Sequence, residues 1–394
     1  MADLILKPGR EKSVLLRHPW IFSSAVNEIK GEVNSGDTVA VLSSKGEKLG
    51  SAAYSYTSQI KARMWSWTPQ EKINEEFFHK KIIEAIEKRK KYIVTPECSA
   101  YRMVFGESDG LPGLIVDLYE NVLVIQILSA GSESNRSLIV DCLRKTYPEY
   151  EMYERSDADV RALEGLPAKA GFLSTKGFHE SIQINEYGIR YKVNFASGQK
   201  TGFYIDQREN RKKLRTYCKG KDVLNCFSYT GGFTLNAFQG GAKSVLSIDS
   251  SQTALESLTD NLLNNNFGQA DSRIICGDAF VELRKLRDRA ESFDVIVMDP
   301  PKFAPTVSQA EKAARGYKDV NLLAIKLLRP GGVLFTFSCS GGISRELFQK
   351  IIASAAQDAD CELQIIDQLS QSGDHPVLTS FPESMYLKGL VCIK

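Results

Sequence analysis

The C-terminal half of the chain predicts an α/β fold built on a doubly wound, mostly parallel sheet. From about Tyr217 short apolar segments alternate with stretches of helical spacing: Val223 to Phe227, Ser244 to Ile248, Arg273 to Cys276, Phe293 to Met298 and Val333 to Ser338. Such alternation joins neighbouring strands through helical crossovers. The chain before Tyr217 is patterned differently, which predicts smaller domains ahead of the sheet.

Residues 1 to about 70 place short apolar runs between turn signals such as Gly36-Asp37 and Ser44-Lys45-Gly46-Glu47, the pattern of a small β-rich module. From Asn74 to Tyr92, Phe77, Phe78, Ile82, Ala85, Ile86 and Arg89 recur at helical spacing, so an amphipathic helix follows. Its basic end, Lys88 to Lys91, suits either phosphates or a solvated helix terminus. Two strands are expected between Arg102 and Leu128, then a helix to Tyr147 and a hairpin around Tyr187-Gly188, together a small α+β domain. The predicted division is 1–72, 73–190 and 191–394.

Composition narrows the function. An apolar fraction of 43% supports substantial cores, and 50 basic against 48 acidic residues leave a net charge of +2. Nucleic-acid affinity then has to come from local patches. No apolar run reaches bilayer length and no leader precedes the first charges, so a cytoplasmic protein is expected. The eight cysteines include no Cys-x-x-Cys pair and there are only four histidines, which argues against a disulfide framework and a metal site. Most of the thiols sit in apolar runs as core residues; Cys339 is the exception.

Chemistry concentrates where the predicted strands end. The first runs into Asn225-Cys226-Phe227-Ser228-Tyr229-Thr230-Gly231-Gly232, where paired glycines let backbone approach a ligand at a helix N-terminus. Gly-x-Gly-x-x-Gly is absent, which weakens a dinucleotide oxidoreductase. Asp249, with Ser250 after it, ends the second strand and could take two ribose hydroxyls; Asp278, before Ala279, ends the third and could face an adenine amine. Either acid alone is equally a helix N-cap. Asp299-Pro300-Pro301-Lys302-Phe303 ends the fourth strand, the prolines holding the backbone extended and presenting the carboxylate at the sheet edge. Cys339-Ser340-Gly341-Gly342 follows the fifth, beside Asp299 if those strands are neighbours.

With these segments stand Gly9-Arg10-Glu11-Lys12-Ser13, His18-Pro19-Trp20, Gly106-Glu107-Ser108-Asp109-Gly110, Thr201-Gly202-Phe203-Tyr204, Asp206-Gln207-Arg208, Arg315-Gly316-Tyr317-Lys318 and Ser338-Cys339-Ser340. Taken together the sequence resembles class I S-adenosylmethionine-dependent methyltransferases, and among them the RlmI family of large-subunit (23S) rRNA cytosine C5 methyltransferases, over the whole chain. The resemblance implies an N-terminal β-barrel PUA domain, a strand-strand-helix-strand-strand unit, and a Rossmann-like seven-stranded catalytic domain. It implies S-adenosylmethionine held by Asn225, Phe227, Tyr229, Thr230, Gly231, Gly232, Asp249, Ser250, Asp278, Ala279 and Asp299. RNA contacts are expected at Arg10, Lys12, Arg17, Lys302, Phe303, Arg315 and Tyr317, with no metal and no membrane; a homodimer is left open.

The chemistry then follows. Pyrimidine C5 is too weakly nucleophilic to take a methyl group until a thiolate adds to C6, so Cys339 is the expected nucleophile and Asp299 the group holding the base edge. A second cysteine that a different group of RNA cytosine methyltransferases carries three residues after the motif acid is Lys302 here, so no residue is assigned to removing the C5 proton. The target base must leave its stack. The stretch Arg208 to Arg215 suits an RNA path or an exposed helix face. Rival readings are a uracil C5 methyltransferase, a purine N-methyltransferase that needs no thiol, and a non-catalytic RNA-binding or ribosome assembly protein.

Overall fold

The computed structural model describes residues 1–93, 95–173, 181–304 and 309–394, and its backbone contacts divide into two compact units. The first comprises Met1–Ile184, Val193–Ile205 and Gly373–Ser384; the second comprises Asn185–Lys192, Asp206–Ser372 and Met385–Lys394.

The first unit holds two sheets. Six strands run in the order Trp20–Phe22, Ile60–Ser66, Lys48–Tyr54, Thr38–Leu42, Asp3–Leu6, Val26–Lys30 around a core that includes Leu4, Leu6, Val39, Val41, Ala62 and Met64. Five strands form the other sheet: Lys169–Phe172, Glu151–Ser156, Val122–Ile127, Leu114–Tyr119 and Ala100–Phe105. The sequence reading expected two strands between Arg102 and Leu128, but there are three. Positive φ at Gly106, Gly110 and Gly113 breaks the apolar run into a turn, because only glycine adopts that conformation without strain.

Polar motifs in this unit turn out to be structural. Arg89 of the helix Glu75–Tyr92, from the basic run, is buried and clamps Asp109 with two hydrogen bonds of 2.6 and 2.7 Å. Glu107 accepts from Trp20 Nε1 at 2.7 Å and Arg63 Nη1 at 3.1 Å. Thr201 donates to Asp117 at 2.6 Å, and that carboxylate takes a bidentate pair from Arg102. A buried carboxylate needs such saturation, since removing one partner leaves an uncompensated charge.

The second unit is a seven-stranded sheet in the spatial order Asp271–Cys276, Ser244–Asp249, Asp222–Cys226, Phe293–Met298, Leu328–Ser338, Lys388–Ile393, Gln364–Leu369. In chain order this is 3-2-1-4-5-7-6, the first five strands parallel and the seventh antiparallel to both its neighbours. Central strands such as Phe-Asp-Val-Ile-Val-Met are near-continuous apolar runs because helices cover both faces. The helix Ala310–Leu327 buries Ala313, Tyr317, Val320, Asn321, Ala324 and Leu327, a stripe at steps of three and four. Ser251, Asp278 and Ser344 cap the helices that follow them, each accepting from the backbone N–H three residues on. The order reverses between the first and fourth strands, and a ligand crevice forms at the carboxyl ends beside such a switch.

The stretch Arg208 to Arg215 is only partly an exposed face: Lys212 is exposed, but Arg208 and Arg211 are buried. Arg211 is 2% exposed and pairs with Glu186 at 2.8 Å through Nε, while Arg215 donates to Asn236 at 2.6 Å. Hydropathy cannot separate a buried paired arginine from a solvated one.

Candidate active site

Register aligns the strand ends. Cys226 lies opposite both Ile248 and Met298, Asp249 opposite Cys276, and Met298 opposite Thr336. Phe227, Asp249, Asp299 and Cys339 therefore leave the sheet along one carboxyl edge.

The first crossing holds strain and unsatisfied polarity together. Phe227, Tyr229 and Gly231 all have positive φ, at 61°, 48° and 88°, which is costly for the two aromatic residues. Gly231 is required, because a Cβ there would lie 2.7 Å from Leu258 Cγ. Asn225 donates to Thr234 at 2.9 Å, yet Asn225 Oδ1, Ser228 Oγ and Thr230 Oγ1 are buried without a hydrogen-bond partner. Orphaned polar atoms cost about 1–3 kcal/mol each, and a loop that keeps three of them is shaped for a polar ligand.

The acids combine two roles. Asp249 Oδ2 accepts from Tyr229 N at 2.8 Å and Oδ1 from Ser251 N at 2.9 Å, so it fixes the strained loop. A carboxylate offers about four lone-pair sites, which leaves capacity for two hydroxyls. Asp278 Oδ1 accepts from Val281 N at 3.0 Å, the N-cap bond, with Ala279 buried behind it and Ser250 exposed beside the crevice. Asp249 and Asp278 thus shape the loops and still hold carboxylate oxygens that can accept from the hydroxyls or amine of a polar ligand.

The fourth and fifth crossings are stitched to each other. Ser340 Oγ accepts from Ala304 N at 3.0 Å and meets Tyr317 OH at 2.9 Å, and Gly342 N reaches Ala304 O at 3.4 Å. Cys339 sits between Ser338 and Ser340, both fully buried, and is itself part-exposed. Asp299 is part-buried and accepts from Gln207 Nε2 at 3.0 Å. Gln207 Oε1 in turn accepts from Asn210 Nδ2 at 2.6 Å, and Asn210 also donates to Ser370 O at 3.0 Å. That chain fixes which end of the Gln207 amide faces the acid.

The expected RNA contacts divide. Lys302 and Arg315 are exposed, Arg315 pairing with Glu311, and Phe303 is half-buried with its ring 4.8 Å from Tyr317. Tyr317 is 0% exposed, so it supports the Cys339 loop from beneath instead of offering a face to RNA. In the first unit Arg10, Lys12 and Arg17 are all exposed, Arg17 lying over the Trp67 ring. Sequence reasoning missed Gln207, Asn210 and Lys388. The one signal for Lys388 was a lysine opening an otherwise apolar strand.

The eight cysteines stand outside any disulfide; Cys276, expected in the core, is exposed on an edge strand. Among the described residues no group of three metal-ligating side chains occurs and no helix is long and apolar enough to cross a membrane.

Comparison with known proteins agrees with this architecture. A family model described as S-adenosylmethionine-dependent methyltransferase matches residues 166–384, and one described as PUA-like domain matches residues 4–67. Ribosomal RNA large subunit methyltransferase I of Aeromonas salmonicida is 48% identical over 98% of both chains, and that of Erwinia tasmaniensis 46% identical over 99% of this chain and 98% of its own. A solved S-adenosylmethionine-dependent methyltransferase from Streptococcus mutans shares the fold at 22% identity with a TM-score of 0.86, covering 100% of each chain. A methyltransferase solved in complex with S-adenosylhomocysteine does so at 23% identity and 0.87, again over 100% of each chain. The chain belongs to the S-adenosylmethionine-dependent methyltransferases, with S-adenosylmethionine as cofactor and an N-terminal PUA-like domain, in the family of ribosomal RNA large subunit methyltransferase I.

Proposed function

We propose that the protein methylates C5 of a cytosine in large-subunit ribosomal RNA through a covalent Cys339–C6 adduct, in the cytoplasm. The observation carrying this is the Cys339 loop: a part-exposed thiol at the carboxyl end of one parallel strand, tied through Ser340 to the segment that follows Asp299 on the next. A purine nitrogen would need no such thiol.

Bound S-adenosylmethionine supplies the electrophilic methyl group. Asn225, Phe227, Tyr229, Thr230, Gly231 and Gly232 line its side arm, Asp249 and Ser250 the ribose, and Asp278 and Ala279 the base. Asp299, held by Gln207, lies at the border of this crevice and the target base. Cys339 Sγ bonds to C6, and the electrons of the C5–C6 bond make C5 nucleophilic toward the methyl carbon. Asp299 accepts a hydrogen bond from the cytosine amine, fixing the ring face on. Once C5 has lost its proton the C6–Sγ bond breaks with its pair returning to sulfur.

Residues 1–72 would act as an RNA platform through Arg10, Lys12 and Arg17, ahead of a separate 73–190 segment and the catalytic residues 191–394. Lys302, Phe303 and Arg315 would meet the RNA at the catalytic mouth. The ribosomal substrate is inferred from the close relatives' names, and cytosine from the whole-chain resemblance.

The test incubates the protein and Cys339→Ala with labelled S-adenosylmethionine and protein-free ribosomal RNA, then identifies the labelled nucleoside. 5-Methylcytidine from the unmodified chain alone is expected. 5-Methyluridine would keep the mechanism and change the base; a labelled purine nitrogen that survives Cys339→Ala would end the covalent reading.

A further inference from the structure

We propose that Lys388 is the proton partner of Cys339, its amine accepting the thiol proton and the resulting ammonium holding the thiolate for attack on C6. This deepens the covalent reading above and rests on it.

The placement is built by the sheet. Lys388 opens the strand Lys388–Ile393, and the antiparallel ladder sets it opposite Ser338, the residue before the nucleophile. Its side chain donates from Nζ to the carbonyl of Ser340, the residue after the nucleophile, at 2.7 Å. Backbone pairing and side-chain hydrogen bond therefore bracket Cys339 from both sides. Lys388 is 5% exposed, and among the described residues no carboxylate lies within salt-bridge distance of it.

A buried ammonium without a carboxylate is costly. If the only task were to tie down the Ser340 carbonyl, a neutral donor would do it without that cost. The charged and titratable groups around Lys388 decide what the charge is for. Arg345, at the start of the helix Arg345–Asp358, and Lys302 both oppose a positive charge there, whereas Cys339 favours one. Glu346 shares with Arg345 and Lys388 the lining of a small cavity of about 110 Å³, and Tyr317 approaches the loop through the Ser340 hydroxyl. Burial, opposed by the Cys339 charge and reinforced by Arg345 and Lys302, brings the amine down to about 8. An amine at that level takes up and gives up protons near neutral pH.

The step is balanced. The Sγ–H bond breaks, its electron pair stays on sulfur, and an N–H bond forms on Lys388. When the C6–Sγ bond later breaks, the departing thiolate returns to the same ammonium. The C5 proton goes elsewhere.

The test reads charge separately from the hydrogen bond. In the full-length chain, iodoacetamide labelling of Cys339 is followed against pH by peptide mass spectrometry for the unmodified protein, Lys388→Gln and Lys388→Arg, each checked for S-adenosylhomocysteine binding and thermal unfolding. Lys388→Gln keeps a donor and loses the charge, so its labelling midpoint is expected to rise by about one unit or more. Methyl transfer near neutral pH is expected to fall about 10-fold and to recover as pH is raised. Lys388→Arg is expected to hold the midpoint low. Equal midpoints for the unmodified chain and Lys388→Gln, or a Lys388→Arg midpoint as high as that of Lys388→Gln, overturn the proposal. Failure of the covalent reading is distinguished by Cys339→Ala, which would then still transfer methyl groups whatever the labelling midpoints are.

Discussion

The two ends of the crevice handle polar atoms in opposite ways. Around the first strand, Asn225 Oδ1, Ser228 Oγ and Thr230 Oγ1 are buried and unpartnered on a loop whose aromatic residues carry positive φ. Around the fourth and fifth strands, Ser340 Oγ binds two partners, its carbonyl takes Lys388, and Asp299 is held by a relay through Gln207 and Asn210. The first loop leaves buried polar atoms for a ligand to satisfy; the second is satisfied within the chain. This division suits catalysis, because groups that act in the transition state gain most from being fixed in advance, whereas a cofactor site must admit and release its occupant.

The largest expected effect breaks the second end chemically. Cys339→Ala should lower methyl transfer by about four orders of magnitude, since a covalent nucleophile has no substitute, while S-adenosylhomocysteine affinity measured by calorimetry stays unchanged. Retained transfer would show that the ordered loop is a scaffold and not the reacting centre. Gln207→Leu should follow, with kcat down about 100-fold and KM for RNA changed far less, because Asp299 loses a donor that helps aim it. A proportional rise in KM would instead make Gln207 part of RNA binding.

Ser340→Ala tests the same end through stability. It takes the Ser340 acceptor from the buried Ala304 N, while Tyr317 OH keeps its bonds to Ser338 and the Phe303 backbone, so the free protein should lose about 1–3 kcal/mol in urea unfolding. A neutral result would mean the loop is less tightly satisfied than its hydrogen bonds indicate.

How far each end was legible follows from how local its signals are. The sheet and its crossovers were readable because strand runs such as Phe293 to Met298 and the acids at 249, 278 and 299 advertise themselves within a few residues. The place of Asp299 and Cys339 at neighbouring strand ends was readable for the same reason. Their surroundings were not: Gln207 reaches Asp299 across some ninety positions with Asn210 behind it, and Lys388 reaches the Ser340 carbonyl from an antiparallel strand far along the chain. Tyr317 was misjudged as an RNA contact because an aromatic at helical spacing fits core and surface alike. Arg89 stood in the stripe that the helix buries, but its partner Asp109 was not legible, and Arg211 was given an RNA path or an exposed face because burial of an arginine depends on partners such as Glu186 in other elements.

Thr230→Val gives the smallest effect and the sharpest contrast with Ser340→Ala. Both remove a buried hydroxyl, but Thr230 Oγ1 has no partner to strand. Replacing it with a methyl group of similar size removes a desolvated polar atom, so the free protein should be unchanged or more stable by up to about 1 kcal/mol. Affinity for S-adenosylhomocysteine should nevertheless fall about 5- to 10-fold, the value of one hydrogen bond made only in the complex. Unfolding and calorimetry on the same preparation separate the two quantities. A variant that loses stability while binding normally would place Thr230 with the preassembled network, and the distinction between the two ends of the crevice would fail at the residue chosen to show it.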